Sequence, residues 1–159
     1  MRRALAVLPA GSWPLAQVVG SVTLPAAGRH RRRIRLTDDE GAEFLLDLPN
    51  AVQMRDGDGL ALEAGGVIRV TAALEEVADV VCSDPQALAR LAWHIGNRHV
   101  PVQLMGEGRL RVPADHVLLT MLEGLGVTVR CLRAPFQPEA GAYDPHGLAE
   151  SPPPLVRRA

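Results

Sequence analysis

Residues 74–131, LEEVADVVCSDPQALARLAWHIGNRHVPVQLMGEGRLRVPADHVLLTMLEGLGVTVRC, alternate between two hydrophobic patterns. In two segments the apolar residues recur at helical spacing, and each of these segments follows an aspartate that can cap a helix, Asp84 or Asp115. The other segments are short, apolar and separated by glycines, as strands are. Their order is strand, helix, strand, strand, helix, strand, which predicts a ferredoxin-like βαββαβ domain.

The end of the first predicted helix gives the first indication of function. Pro85 is predicted at the first helical position and Gly96 at the end of the first helix. His99 follows three residues later, directly before the apolar strand segment 100–105. A histidine just past a helix end can hold a neutral imidazole toward solvent or a partner surface, as a metal carrier needs.

The first 72 residues predict a small all-β domain. Short apolar segments are separated by Gly, Asp and Pro, as in a small sandwich. We therefore predict an α+β protein with three parts, which are an all-β domain over 1–72, the ferredoxin-like domain over 73–146 and a proline-rich tail over 147–159. The candidate strands of the first domain are Val18–Leu24, Arg31–Leu36, Glu43–Leu48, Gly59–Leu62 and Val67–Thr71.

The extreme N-terminus weakly resembles a secretion signal, because Arg2 and Arg3 precede a short apolar run. Proline and glycine interrupt that run early, so we expect neither export nor a membrane span. Cys82 and Cys131 form no CxxC pair, and we expect both to be buried, reduced thiols. This cysteine usage suits a reducing cytoplasm, where we place the protein.

The composition excludes several chemistries. All 17 basic residues are arginine. A P-loop needs a lysine on the phosphates and pyridoxal enzymes need one for the Schiff base, so neither class fits. The formal net charge of −1 gives no general attraction to nucleic acid or to membranes.

The basic run at residues 29–33, RHRRR, leaves three interpretations open. It could bind phosphates as part of a nucleic-acid-binding module, dock an acidic protein partner, or form the solvated face of a strand. Alternation along a strand would put Arg31, Arg33 and Arg35 on one face and Ile34 and Leu36 on the other. No aromatic residues lie between them for base stacking, so the solvated face is favoured and nucleic-acid binding is the alternative function.

Several separated segments resemble one family. WHIGNRHVPVQL (93–104) resembles the signature of the UreE urease accessory proteins, in which a helix ends in HLGNRH and a strand begins. DHVLLTMLEGLGVTV (115–129) and APFQPEAGAY (134–143) are similar to later segments of that family. RIRLTDDEGAEFLLDLP (33–49) and MRDGDGLAL (54–62) follow its N-terminal domain. The resemblance spans most of residues 15–146.

The resemblance implies a nickel metallochaperone for urease maturation, not an enzyme. Members have a peptide-binding-like β domain and a ferredoxin-like metal-binding domain, and they form homodimers. The histidine of GNRH, which is His99 here, meets its copy from the other chain at one interfacial nickel ion. The family passes Ni(II) through the accessory GTPase UreG to the urease activation complex. A site made of imidazoles should also bind Cu(II) or Zn(II).

The chain departs from the family pattern at two further candidate ligands. Before its Pro/Arg ending the chain offers only His146 in place of a histidine-rich tail, and we expect His146 to close over the interfacial metal. Some members have a histidine where this chain has Ala114, so the metal role of His116 is weakened and an exposed surface histidine is favoured. A hydrolase built on His99, His116 and Asp115 is not expected, because neighbours on a helix project in different directions.

Overall fold

The computed structural model describes residues 1–141, which contain ten strands, two α-helices and two single-turn 3-10 helices, Leu15–Gln17 and Ala26–Gly28. Two β sheets follow one another along the chain, and both α-helices belong to the second half. The fold is therefore α+β, as predicted. The elements are β1 Arg2–Leu8, β2 Val18–Leu24, β3 His30–Thr37, β4 Glu43–Gln53, β5 Gly59–Leu62, β6 Val67–Ala72, β7 Leu74–Val81, α1 Pro85–Asn97, β8 Gln103–Gly106, β9 Arg109–Pro113, α2 His116–Gly124 and β10 Thr128–Pro135.

The first half is one curled, six-stranded mixed sheet in the order β2-β6-β5-β1-β4-β3. The pairs β1–β4 and β2–β6 are parallel, and the other pairs are antiparallel. Alternate residues of the strands point to a common core that includes Val22, Phe44, Leu46, Leu60 and Ile68. Period-two burial of this kind explains why four of the five predicted strands lie within one or two residues of their observed bounds.

Strand β1 corrects the prediction at the N-terminus. The residues interpreted as a weak signal-like run form a central strand, which pairs with β4 on one side and with β5 on the other. The predicted sandwich is wrong for the same reason, since β1 joins what would otherwise be two sheets into one. The third predicted strand, Glu43–Leu48, was also too short. Strand β4 continues through Pro49 to Gln53 at the point where its register with β3 shifts.

The second half has the strand order β10-β7-β9-β8, all antiparallel, with α1 and α2 on one face. When the strands are numbered within this half, their order across the sheet is 4-1-3-2. This is the ferredoxin-like arrangement predicted from the sequence. Leu91 and Ile95 of α1 and Leu118 and Leu122 of α2 are buried against the sheet. This core fixes the ends of both helices, and with them His99 and His116.

The two cysteines differ in solvent exposure. Cys82 is buried, as predicted, whereas Cys131 is exposed, and both are free thiols. The prediction for Cys131 is wrong because β10 is the outermost strand of its sheet and leaves this side chain uncovered. No helix within residues 1–141 is long and apolar enough to cross a membrane.

The two sheets are joined by a buried arginine. Arg29 is fully buried, although the sequence placed it in an exposed basic run. Its guanidinium donates hydrogen bonds to the carbonyl oxygens of Leu24, Met54 and Phe136. Phe136 follows the last strand of the second sheet, while the other two carbonyls belong to the first half. One side chain therefore binds backbone from both halves.

Apolar packing surrounds this arginine. Val77, Ala134 and Phe136 of the second half form a small cluster with Leu132, and Ala26 of the first half packs against it. Part of the second sheet's helix-free face is thus covered by the first half.

Candidate metal centre

His99 is positioned by the C-terminal end of α1. The helix is capped at its start by Asp84, whose carboxylate accepts a hydrogen bond from the backbone N–H of Ala87 at 2.8 Å. It ends at Asn97, not at Gly96 as predicted, and Arg98 is the C-cap residue. The backbone N–H of His99 donates to the carbonyl of Gly96 at 3.0 Å. The helix runs one residue further because the chain reverses only when it reaches Val100, which packs against the core.

The backbone of His99 is in the left-handed region, with φ 54°. Helix α2 ends in the equivalent way, but there the residue after the C-cap is Gly126, with φ 71°. Glycine adopts this conformation without penalty, whereas a side chain costs about 1–2 kcal/mol. A histidine in a position that suits glycine is a strained residue, and such strain is typical of functional sites.

The strain gives a first testable prediction. We expect His99→Gly to stabilise the fold by about 1 kcal/mol, since relief of the left-handed side chain outweighs the added freedom of glycine in the unfolded chain. For a chain of this size the midpoint of thermal unfolding should rise by about 3 °C. The measurement is thermal or urea unfolding of the metal-free protein.

The other helix supplies the matched control. Gly126→Ala places a side chain at the same backbone conformation after α2, and nothing lies within 4 Å of the added Cβ. It should destabilise the protein by about 1 kcal/mol through backbone strain alone. A His99→Gly variant that is less stable than the native protein would show that the imidazole itself stabilises this turn.

The imidazole of His99 is exposed, and the surface beside it is partly apolar. Trp93, six residues earlier on α1, is 63% exposed. A set of exposed residues on one side of α1, which we call the α1 stripe, leads to the end of the helix near His99. These residues are spaced three or four apart and are Pro85, Ala89, Ala92, Trp93 and Gly96.

Contacts between the helices fix this end of α1. The Nε of Arg98 lies 3.0 Å from the Sδ of Met121 on α2, which fastens the residue before His99 to the second helix. His94 is half-buried, and its ring lies edge-on to that of Trp93 at a centroid distance of 5.0 Å. This contact gives His94 a packing role beside Trp93.

His116 lies at the first position of α2 and is exposed. Asp115 is the N-cap, as predicted, and its carboxylate accepts the backbone N–H of Leu118 at 3.0 Å. Within residues 1–141, no three His, Cys, Asp or Glu side chains come close enough together to hold a metal. His99, His116 and Asp115 therefore do not form a cluster in one chain. His146, the third predicted ligand, lies outside the described residues.

The basic run has a different placement from the histidines. His30, Arg31, Arg32, Arg33 and Arg35 are exposed on β3, the outermost strand of the first sheet. The core-facing side chains of this strand are half-buried, as alternation predicted. The register with β4 shifts between Arg31 and Arg33, so the alternation is broken at Arg32.

Two family models match this chain. The N-terminal domain of the UreE urease accessory protein matches residues 3–73, and its C-terminal domain matches residues 75–151. The chain belongs to the UreE family of urease accessory proteins. The UreE match in the C-terminal half includes all three predicted ligands, at positions 99, 116 and 146.

Curated relatives agree with the UreE assignment. The urease accessory protein UreE of Rhodobacter capsulatus is 49% identical over 143 residues, which cover 90% of this chain and 87% of the relative. The UreE of Beijerinckia indica is 46% identical over 145 residues, covering 90% of this chain and 82% of the relative. That of a Bradyrhizobium species is 48% identical over 143 residues, covering 90% and 67%. A urease accessory role follows, and the chain is placed with the proteins of urease maturation.

Proposed function

We propose that this UreE protein is a nickel carrier that holds Ni(II) between the His99 residues of two chains and delivers it to urease during maturation. The observation that carries the proposal is the exposed imidazole of His99 in a left-handed backbone conformation. It lies within the segment that carries the family resemblance. Family membership gives the cargo its identity, since imidazole alone does not distinguish Ni(II) from Cu(II) or Zn(II).

A second copy of the chain solves the shortage of ligands. Among residues 1–141 of one chain, no group of three candidate ligands is assembled. In a two-fold symmetric dimer the same surface faces itself, so a residue near the axis is present twice. Two copies of His99 would supply two imidazoles, and His146 from either chain is the proposed further ligand.

The α1 stripe supports dimerisation at this surface. Its alanine and glycine positions allow close approach of another helix, and the exposed indole of Trp93 offers a large apolar area to bury. Aromatic residues of this kind often dominate the energy of an interface. A two-fold axis close to the Trp93 and Gly96 end of the stripe would bring the two α1 ends, and so the two His99 side chains, toward each other.

A metal site that is only partly enclosed by protein ligands suits a carrier. A site with few protein ligands keeps open coordination positions, from which a receiving protein can take the metal. Imidazole binds metal only when it is unprotonated, so nickel should dissociate as the pH falls below about 6. We propose the accessory GTPase UreG and the urease activation complex as recipients. We also propose that the all-β half 1–72 and the ferredoxin-like half 73–146 are separate domains of the carrier.

Native mass spectrometry with nickel titration tests the dimer site. We expect a dimer that binds about one tightly held Ni(II), because the two-fold axis creates a single shared site. Titration calorimetry on the same samples should give the same ratio of nickel to chains. Tight binding of one nickel to each separate monomer would contradict the proposal.

A pair of variants connects the metal to the α1 stripe. Trp93→Glu puts a charge into the proposed interface and should give monomers that have lost tight nickel binding. Val117→Glu puts the same charge at an exposed position of α2, with 61% of the native residue exposed, and should leave both properties intact. If the two variants have the same oligomeric state and the same nickel affinity, the α1 stripe is not part of the interface.

A further inference from the structure

The outer edge of β3, a surface distinct from the histidines, is the strongest unexplained feature of the described chain. β3 is eight residues long and pairs with β4 on one side only. No described strand pairs with its other side. An exposed strand edge presents alternate backbone N–H and C=O groups, to which an extended segment of another protein can add.

The charge along this edge is strongly positive. Arg31, Arg32 and Arg35 make no ion pair with any carboxylate of residues 1–141, whereas Arg33 lies 3.4 Å from Asp47. The protein as a whole has a net charge of −1, so these three charges are a local concentration. We call Arg31, Arg32 and Arg35 the basic edge.

Three carboxylates near this strand, Asp38, Asp39 and Asp47, already accept hydrogen bonds from side chains of other segments. Asp38 accepts a hydrogen bond from Arg2 at 2.7 Å, and Asp39 accepts hydrogen bonds from Ser21 and Thr23. Asp47 accepts a hydrogen bond from Arg3 at 2.5 Å, and this contact is the main cause of its lowered pKa. Asp47 therefore offsets part of the charge of this strand, but no carboxylate of residues 1–141 lies within ion-pairing distance of the basic edge, which an acidic partner would complement.

We infer that the basic edge of β3 docks an extended, acidic segment of another protein, which adds to the first sheet as a further antiparallel or parallel strand. Backbone pairing would supply the geometry, and carboxylates on alternate residues would meet the arginines. Nucleic acid fits less well, because it gains nothing from a strand edge and the basic edge carries no aromatic side chain for stacking.

The probe for this site is a fluorescein-labelled peptide of about ten residues in which Glu and Val alternate, long enough to pair along one strand. Fluorescence anisotropy at low ionic strength should give saturable binding that weakens as salt is added. Charge reversal of Arg31, Arg32 and Arg35 to Glu should weaken binding by about tenfold or more, since three ion pairs become three repulsions.

Three controls make the test specific. Reversal of Arg69, Arg109 and Arg130, which are exposed elsewhere, changes the total charge equally and should leave binding within about twofold. A peptide that is N-methylated at alternate residues keeps its charges but cannot donate ladder hydrogen bonds, so it should bind about tenfold more weakly. Thermal unfolding of both triple variants confirms that they fold.

Four outcomes would overturn the inference. They are equal loss of binding in the two triple variants, undiminished binding of the N-methylated peptide, tighter binding of oligothymidine than of the peptide through the same arginines, and no peptide binding to the native protein. The last result would mean that the arginines serve only to keep the edges of neighbouring molecules apart.

Discussion

Replacement of Arg29 by methionine is expected to destabilise the protein by about 3 kcal/mol or more. Methionine fills much of the same volume but donates no hydrogen bond. The substitution would leave the carbonyl oxygens of Leu24, Met54 and Phe136 without the guanidinium that they now share. The Leu24 carbonyl keeps a hydrogen bond from the backbone N–H of Ala73, so the cost falls mainly on the carbonyls of Met54 and Phe136.

The arginine remains charged in spite of its burial. Burial lowers the pKa of Arg29, and the nearby carboxylates of Glu75, Asp56 and Asp58 act in the opposite direction. A guanidinium keeps its proton even when it is desolvated, so the side chain acts as a cation with rigidly directed donors. Lysine at this position would keep the charge but could not reach three carbonyls in the same plane, and we expect Arg29→Lys to recover only part of the lost stability.

Two spectroscopic probes report separately on the unfolding of the two halves in urea. Trp13 is buried in the first half, so its fluorescence in a Trp93→Phe background follows that half. Helical circular dichroism follows the second half, which contains both α-helices. We expect the two transitions to coincide in the native protein and to separate in Arg29→Met, because the side chain that joins the sheets is gone.

The control for this experiment is Arg69→Met. Arg69 is an exposed arginine on β6, and its replacement should change the free energy of unfolding by less than about 0.5 kcal/mol. If Arg29→Met unfolds at the same urea concentration as Arg69→Met, the junction does not hold the two halves together.

The ferredoxin-like half could be predicted from the sequence because its signals are local. Asp84 and Asp115 are both N-caps in the structure, and the apolar spacing of Leu91, Ile95 and Leu118 places these residues in the core. Capping and helical periodicity depend on neighbours within one or two turns. The strand order then followed from the alternation of elements along the chain.

The features that were missed depend on distant parts of the chain. Strand β1 is apolar on both faces, so it shows no alternation, and only pairing with β4 and β5 makes it a strand. The burial of Arg29 depends on Phe136, which is 107 residues away in the sequence. Neither partner could be inferred from a run of arginines or from an apolar N-terminus.

The candidate site was predicted in part. The sequence indicated a histidine beyond the end of α1, but it assigned the helix end to Gly96 because glycine usually occupies that position. The structure instead gives the left-handed conformation to His99. The remaining signal in the sequence was the apolar Val100, since a residue that must return to the core fixes where the chain reverses.

His99→Ala is expected to weaken tight nickel binding by about 100-fold or more. Loss of a residue that only orients a ligand typically costs 10- to 100-fold, and this substitution would remove two ligands from each shared site. Alanine keeps a side chain in the left-handed backbone conformation, so it should not gain the stability expected of His99→Gly. Both variants should lose nickel, although one is more stable and the other is not.

The different stabilities expected of His99→Gly and His99→Ala distinguish a loss of metal binding from a folding defect. If tight binding is lost equally in His99→Gly and His99→Ala, a folding defect cannot be the cause, because the glycine variant should be the more stable protein. His30→Ala is the control, since His30 is exposed on β3 in the other half of the molecule. Its nickel affinity should stay within about twofold of the native value.

A mixed dimer tests whether the two chains share the ion. Differently tagged native and His99→Ala chains can be refolded together, and the species with one tag of each kind can be isolated. It should bind nickel with an affinity between those of the two pure dimers, because it retains one of the two symmetry-related imidazoles. Native affinity in the mixed dimer would mean that one chain holds the metal alone, and unchanged affinity in the pure His99→Ala dimer would exclude this histidine as a ligand.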